Sequence, residues 1–336
     1  MGKIANRLGE QLSRLGWTVS TGESAAADAD VNHFVLFLEE FGVCRGVATV
    51  GITHVDDREK VRLARLAVER ADLGICMSTA TVRQLVDEGI DRSKLCYVLP
   101  ALDSGLVPRR IVVGITTQVY PDGRKREHLL TRLASEMDLS SFRFEIFGSG
   151  WNAVGDRLRN AGAEVLHDED TGNLAAGYDS IRRRIPFFDY YLYLGLDEGS
   201  LGTIDALAAG VKTIVTPQGF HLDLPQGITH PVASYDELRA VFQGIVEERN
   251  SRVRAVEHLT WLRYAQQHDR IWRLLLAGRR AEIPGMLGQQ ALEPLGGYTE
   301  AMNAHHAAER WRMFGRSARR LYDGRVKVWL NKALSR

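Results

Sequence analysis

Asp189-Tyr190-Tyr191-Leu192-Tyr193-Leu194-Gly195-Leu196-Asp197-Glu198-Gly199-Ser200-Leu201-Gly202-Thr203-Ile204-Asp205-Ala206-Leu207-Ala208-Ala209-Gly210 decides how this chain folds. Its first six residues form a short, aromatic-rich run of strand length, and a polar turn carrying Gly195 and Gly199 ends it. Leu201 to Ala209 then has the composition of a helix, closed by Gly210. A strand that passes through a tight turn into a helix is half of a βαβ unit, and such units build parallel sheets with crossover helices.

The same alternation extends in both directions. Toward the N-terminus lie strand candidates at Ile111–Ile115, Phe142–Phe147 and Ala163–Leu166, and Lys212–Val215 follows. Helical stretches separate them, notably Glu127–Met137. An earlier set precedes these: a helix from Ala5 to Leu15 stopped by Gly16, strands at Trp17–Ser20, Asn32–Phe37, Val47–Ile52, Asp72–Met77 and Leu95–Leu99, and helices at Arg58–Ala71 and Thr79–Glu88. Pro100 to Pro108 is proline-bounded and aperiodic, which suits a linker. The expected organisation is α/β with two Rossmann-like domains, 1–108 and 109–275, followed by a helical basic segment, 276–336, packing back on the first domain. The chain's 336 residues accommodate this division.

Composition narrows the function. A net charge of +1 offers no global field for nucleic acid. No apolar run approaches the roughly 20 residues that span a bilayer, and Met1 to Arg7 has no signal-peptide core. Cys44, Cys76 and Cys96 are widely spaced, and the latter two lie in apolar runs, so small buried hydrophobes in a reducing cytoplasm are expected. Charge is uneven: Glu309 to Arg336 holds nine Lys/Arg against two acids, interleaved with Trp311, Phe314, Tyr322 and Trp329. Such a segment either rests on an anionic membrane surface or packs its apolar stripe on the parent fold with its arginines in water.

Ligands in parallel sheets bind at the carboxyl ends of the strands. The turn Asp197-Glu198-Gly199-Ser200-Leu201-Gly202 stands there, and the helix it starts offers free amides and a positive dipole end to a diphosphate. Glu198 and Asp205 are carboxylates suited to sugar or ribose hydroxyls; a capping acid before an ordinary buried helix is the plainer alternative. Tyr120-Pro121-Asp122-Gly123-Arg124-Lys125-Arg126 follows the first strand of the second set and places cations where phosphates would sit, or is a solvated charge run. Gly148-Ser149-Gly150 permits close backbone approach. His54 ends a strand of the first set, where an imidazole can bond a hydroxyl or serve the fold. His33 and His221 are weaker cases, and His33 reads as structural. Asp28-x-Asp30 and Asp168-x-Asp170 do not make a convincing metal motif, so no metal is expected.

Taken together, residues 1 to 275 resemble the GT-B glycosyltransferases, in particular the retaining family four. Val50–Asp56 is similar to that family's Thr-x-His-Asp strand end. Ser78, Pro100 and Asp103 match its Ser…Val-x-Pro-x-x-Asp stretch, and Glu198–Gly210 resembles its Glu-Gly-x-Gly…Glu-Ala-x-Ala-x-Gly. The resemblance implies a nucleoside-diphosphate sugar as donor and a saccharide, lipid-linked or small-molecule acceptor, with no cofactor and with retention of configuration. It implies Glu198 on the transferred sugar, Asp205 on the ribose, Lys125 on the diphosphate, His54 on the donor sugar and Gly148–Gly150 near the nucleotide. Three departures stand out. Glu198 and Asp205 have six residues between them where the family has seven, a spacing that Asp197 and Asp205 keep. The family's diphosphate arginine is absent at Thr116 and Thr117, leaving Arg124 as the substitute. The first domain is abbreviated. A sugar-nucleotide epimerase and a non-catalytic binding or scaffold protein on the same fold remain the alternatives.

Overall fold

A computed structural model describes residues 2–38, 44–103, 105–169, 174–224 and 226–283. They form two compact units, one of the described residues up to 103 together with 258–283, the other of those within 105–257.

The first unit carries four parallel strands, β1 (Val31–Phe34), β2 (Val47–Ile52), β3 (Leu73–Cys76) and β4 (Leu95–Tyr97), in that spatial order. Helices α2 (Arg58–Arg70) and α3 (Thr79–Asp87) make the crossovers. Asp57 caps α2 by accepting from the Lys60 amide, and Ser78 caps α3 by accepting from Thr81. Because side chains alternate across a strand, β3 serves two cores. Cys76 packs with Val50, Ile52, Ala64, Val68 and Leu85 on the α2–α3 face. Leu73 and Ile75 face Leu8 and Leu12 of α1 (Gly2–Arg14) and the helix Trp261–Leu276, whose Ala265, Ile271 and Trp272 join them. Gly74 lets α2 come close, since a Cβ there would lie 2.8 Å from Ile52 and 2.9 Å from Val68.

Two expectations are corrected here. Trp17–Ser20 is not a strand: Trp17 instead sets its ring edge-on to Trp272, and its indole N–H donates to Asp269 at 2.6 Å. The second domain ends at 257 rather than 275. The helix Trp261–Leu276 buries Tyr264, Ala265, His268, Ile271 and Trp272 on one face, and that face meets the first unit's sheet, with the Trp272 indole donating to Thr49 at 3.0 Å. The expected basic segment lies outside the described residues except for 276–283.

The second unit is a six-stranded parallel sheet. In chain order its strands are β5 (Ile111–Ile115), β6 (Phe142–Phe147), β7 (Glu164–Asp168), β8 (Tyr190–Tyr193), β9 (Lys212–Val215) and β10 (His230–Pro231). In space they run β10-β9-β8-β5-β6-β7. Relative to the first strand, the chain winds outward one way through β7 and then reverses from β8 on, which is the dinucleotide-fold order 3-2-1-4-5-6. One face carries α4 (His128–Glu136), α5 (Asn152–Asn160) and α8 (Tyr235–Glu257), and its core stacks Phe144 on Phe242 with ring planes 11° apart. Truncating Phe242 would cost about 3–5 kcal/mol. The other face carries α6 (Leu174–Arg184) and α7 (Leu201–Ala208) against Phe188, Tyr191, Tyr193 and Val215. The helix Trp261–Leu276 of the first unit is α9.

Candidate functional site

In an open parallel sheet a crevice forms where the winding reverses, because the loops leaving the two central strands turn to opposite faces. Here that point lies beyond the carboxyl ends of β5 and β8, which pair directly. The loops leaving them carry Thr116 and Thr117 on one side and the Leu194–Ser200 turn on the other, while the cationic turn after β5 reaches back: the Leu196 amide donates to the Arg124 carbonyl at 2.8 Å.

Of the three cations on that turn, only Lys125 enters the crevice. Its ammonium donates to Asp197 Oδ2 at 2.7 Å and to the Tyr193 hydroxyl at 2.9 Å, with the side chain 11% exposed. Arg124 is exposed, lies over the Tyr120 ring at 4.1 Å and pairs with Asp122 at 3.6 Å. Arg126, at a positive φ of 54°, turns away and donates to the Ala233 carbonyl at 2.9 Å. Asp197 is held on its other oxygen by the Tyr193 hydroxyl and by the Gly199 amide at 3.2 Å. Burial alone would raise its pKa, but the bonds from Lys125, Tyr193 and Gly199 win and hold the carboxyl below the usual carboxylate range. Burial and the Asp197 carboxylate together push the Tyr193 phenol well above its ordinary value, so it stays a donor.

The turn after Asp197 is built around its glycines. Gly199 has φ +113°, and a Cβ there would meet the Phe220 ring at 2.8 Å. The Phe220 amide donates to the Glu198 carbonyl at 3.1 Å. The Glu198 side chain is exposed, with no partner among the described residues. Ser200 caps α7 in extended conformation but spends its hydroxyl on Tyr191 at 2.7 Å rather than on the helix amides. The Tyr191 phenol, fully buried and pushed up to about 12 by that burial, also bonds Thr116 at 3.0 Å. Gly202 packs on this pair, since a Cβ would lie 2.2 Å from Thr116 Oγ1 and 2.4 Å from the Tyr191 hydroxyl. His221, fully buried, fixes the turn from beneath. Its Nδ1 donates to the Thr216 carbonyl at 2.9 Å, so Nε2 accepts from the Ser200 amide at 3.2 Å and from Thr203 at 3.0 Å.

The remaining expected residues fall as follows. Asp205, on α7, accepts from the Tyr178 hydroxyl at 3.0 Å. Gly148 and Gly150 both take positive φ and lie against the loop after β5, where a Cβ on Gly148 would sit 2.4 Å from the Thr117 carbonyl. Ser149 is exposed between them. His54 is exposed past the end of β2, in the first unit. His33 is structural: its Nδ1 bonds Thr49 at 3.0 Å, and burial with His268 beside it lowers it to about 3. Of the two aspartate pairs, Asp170 lies outside the described residues; among those residues no group of three His, Cys, Asp or Glu is arranged to hold a metal. No described helix is long and apolar enough to cross a membrane.

Sequence reasoning missed Tyr191, Tyr193, Thr116, Tyr178 and Gln218, whose side-chain amide donates to the Asp197 carbonyl. A signal existed in Tyr190-Tyr191-Leu192-Tyr193: a strand buried on both faces is ordinarily all hydrocarbon, and phenols placed there need partners.

No family model matches this chain, and no curated protein matches it. Among solved structures, it is similar to HepE of Anabaena in complex with UDP and glucose, at 13% identity over 68% of this chain and 72% of that one, with a TM-score of 0.30. It is similar to sucrose-phosphate synthase of Thermosynechococcus elongatus at 13% identity over 74% of each chain, TM-score 0.32. It is also similar to the lipopolysaccharide outer core galactosyltransferase WaaB in its apo form, at 11% identity over 82% of this chain and 80% of that one, TM-score 0.32.

Proposed function

We propose that the chain is a nucleotide-sugar-dependent glycosyltransferase of the GT-B type, with its donor at the switch point of the second sheet. The observation that carries this reading is the half-buried Lys125–Asp197 pair, set beside a glycine turn and a helix start at the carboxyl ends of β5 and β8. A cation with uncapped first-turn amides is the equipment for a diphosphate, and carboxylates beside it are the equipment for hydroxyls.

The roles follow from that placement. Lys125, with Arg124 reorienting from Tyr120 and the start of α7 at Leu201 and Gly202, stabilises the charge that grows on the departing nucleoside diphosphate. Glu198 takes hydroxyls of the transferred sugar, and Asp197, at the seven-residue spacing from Asp205, shares that task. Asp205 takes the ribose, exchanging the Tyr178 hydroxyl for a ribose hydroxyl. Gly148, Ser149 and Gly150 give the nucleotide a path close to the backbone. His54 is assigned to the donor sugar on its sequence motif alone. The first unit takes a saccharide, lipid-linked or small-molecule acceptor, and no step is assigned to a metal. Transfer with retention is the expected outcome, and residues 309–336 are the segment through which a lipid-linked acceptor would bring the protein to a membrane.

NMR of the protein with a panel of nucleoside-diphosphate sugars, with and without saccharide acceptors, tests the reading. A new glycosidic bond in the donor's anomeric configuration supports it. Interconversion of the sugar nucleotide with no acceptor present would make the chain an epimerase, and binding without turnover would make it a binding protein.

A further inference from the structure

We propose that Asp197 is the resident counter-anion of the diphosphate subsite: in the free protein it occupies Lys125, and a diphosphate binds by taking Lys125 away from it. The proposal rests on the reading of the switch-point crevice as a donor site and adds how that site tells one phosphate from two.

The Lys125 ammonium has three donors, and two of them are already spent inside the crevice, on Asp197 at 2.7 Å and on Tyr193 at 2.9 Å. With only 11% of the side chain exposed, an incoming phosphate oxygen has little of that charge open to it. The carboxylate therefore stands where a ligand's oxygen would stand. Its attachment is lopsided in a way that allows exchange. Oδ1 is fixed by the Tyr193 hydroxyl and the Gly199 amide, and the Asp197 carbonyl accepts from Gln218, whereas Oδ2 has Lys125. Losing Lys125 would leave Asp197 in place on three anchors, while the four-carbon stem of the lysine is free to swing.

The exchange sets a cost that every phosphate must meet. A single phosphate that displaces Asp197 replaces one anion by another and leaves a partly buried carboxylate without its cation, so the gain is small. A diphosphate brings a second phosphoryl group that can reach Arg124, whose nearest anion is Asp122 at 3.6 Å, and the uncapped start of α7. Only the second ligand gains enough new contacts to offset the broken pair. After transfer, the return of Asp197 to Lys125 opposes retention of the nucleoside diphosphate. Freed from Lys125, Oδ2 is also the atom that becomes available to a sugar hydroxyl.

Isothermal titration of the full chain with inorganic pyrophosphate and with inorganic phosphate tests the proposal, using wild type, Asp197→Asn and Lys125→Met. Asn keeps the shape and the anchored oxygen while removing the charge. We expect Asp197→Asn to bind pyrophosphate on the order of tenfold more tightly, about 1.4 kcal/mol, and to keep the preference of wild type for it over phosphate, since both ligands break the same pair. Equal or weaker pyrophosphate binding by Asp197→Asn would overturn the proposal and make Asp197 a positioning residue for Lys125. If Lys125→Met binds pyrophosphate as well as wild type, or if no variant binds it, the donor-site reading itself fails. Should Asp197→Asn not fold, wild-type crystals soaked in pyrophosphate decide. Lys125 moved beyond the roughly 4 Å ion-pair limit from Asp197 supports the proposal, and a pair that stays closed with pyrophosphate bound refutes it.

Discussion

Replacing glycine by alanine inside a helix ordinarily stabilises it, by roughly 0.5–1 kcal/mol, because alanine loses less backbone freedom on folding. The second unit contains two helical glycines at which the same replacement should act with opposite signs. Gly244 lies in the exposed middle of α8, and a Cβ there would touch nothing within 4 Å. Gly202 lies in the first turn of α7, where a Cβ would stand 2.2 Å from Thr116 and 2.4 Å from the Tyr191 hydroxyl. Both distances are far inside contact, and neither neighbour is a free-swinging chain end: Tyr191 is fully buried and bonded to Thr116 and Ser200. Overpacking of this kind costs about 1–3 kcal/mol, which outweighs the helix gain. A domain of this size moves by about 2–4 °C per kcal/mol. Gly244→Ala should therefore raise the melting temperature of the second unit by roughly 1–4 °C, and Gly202→Ala should lower it by several degrees. Calorimetry of the two variants beside wild type reads both signs at once. A Gly202→Ala protein as stable as wild type would refute the packing of Thr116, Tyr191 and Ser200 on α7, and with it the geometry of the crevice floor.

The buried histidines make stability fall in mild acid. Burial lowers His268 to about 4 against an unfolded value near 6.5, so between those limits the unfolded chain binds a proton that the folded one refuses. Stability is full above pH 6.5 and falls below it, by about 1.5 kcal/mol per such histidine on going to pH 5; urea titrations across that range should show the slope, and His268→Phe should flatten it. Burial pushes the Cys76 thiol up to about 12 and raises Cys96 as well, whereas Cys44 is only partly buried. A thiol reagent at pH 8 should modify Cys44 in the native protein and reach Cys76 and Cys96 only after denaturation; rapid native reaction of all three would contradict the described core. Glu198→Ala should leave nucleoside diphosphate affinity within about twofold while abolishing the extra affinity that an attached sugar provides, as read by paired titrations. A tenfold loss for the bare diphosphate would place Glu198 on the wrong part of the donor.

Much of this architecture was legible in the amino-acid order, and its failures are informative. Ile111–Ile115, Phe142–Phe147 and Lys212–Val215 are strands with the bounds their apolar runs suggest, because a parallel sheet covered by helices demands continuous apolar stretches. Trp17–Ser20 has the same look and is not a strand, since Trp17 finds its partners in Trp272 and Asp269, more than 250 residues along the chain, and local pattern carries no trace of them. For the same reason the sequence pattern groups α9 with the second unit whereas it belongs to the first: its amphipathic face is visible in the sequence, but the sheet it covers is not. In the site, Lys125 and the glycine turn could be found from their place after a strand. The ambiguity between Asp197 and Glu198 could not be resolved by counting residues. Side-chain direction separates them: Asp197 turns in to Lys125 and Tyr193, while Glu198 is exposed.

The central claim is that Lys125 marks a nucleoside-diphosphate site, and a thermal-shift titration with the common nucleoside diphosphates, run on wild type and Lys125→Ala, tests it most directly. At a hundred times the dissociation constant a bound ligand adds about 2.7 kcal/mol, which for a unit of this size is a rise of roughly 5–10 °C. The account predicts such a rise with one or more of these ligands in wild type and its loss in Lys125→Ala. No rise with any of them, or the same rise in both proteins, would contradict it.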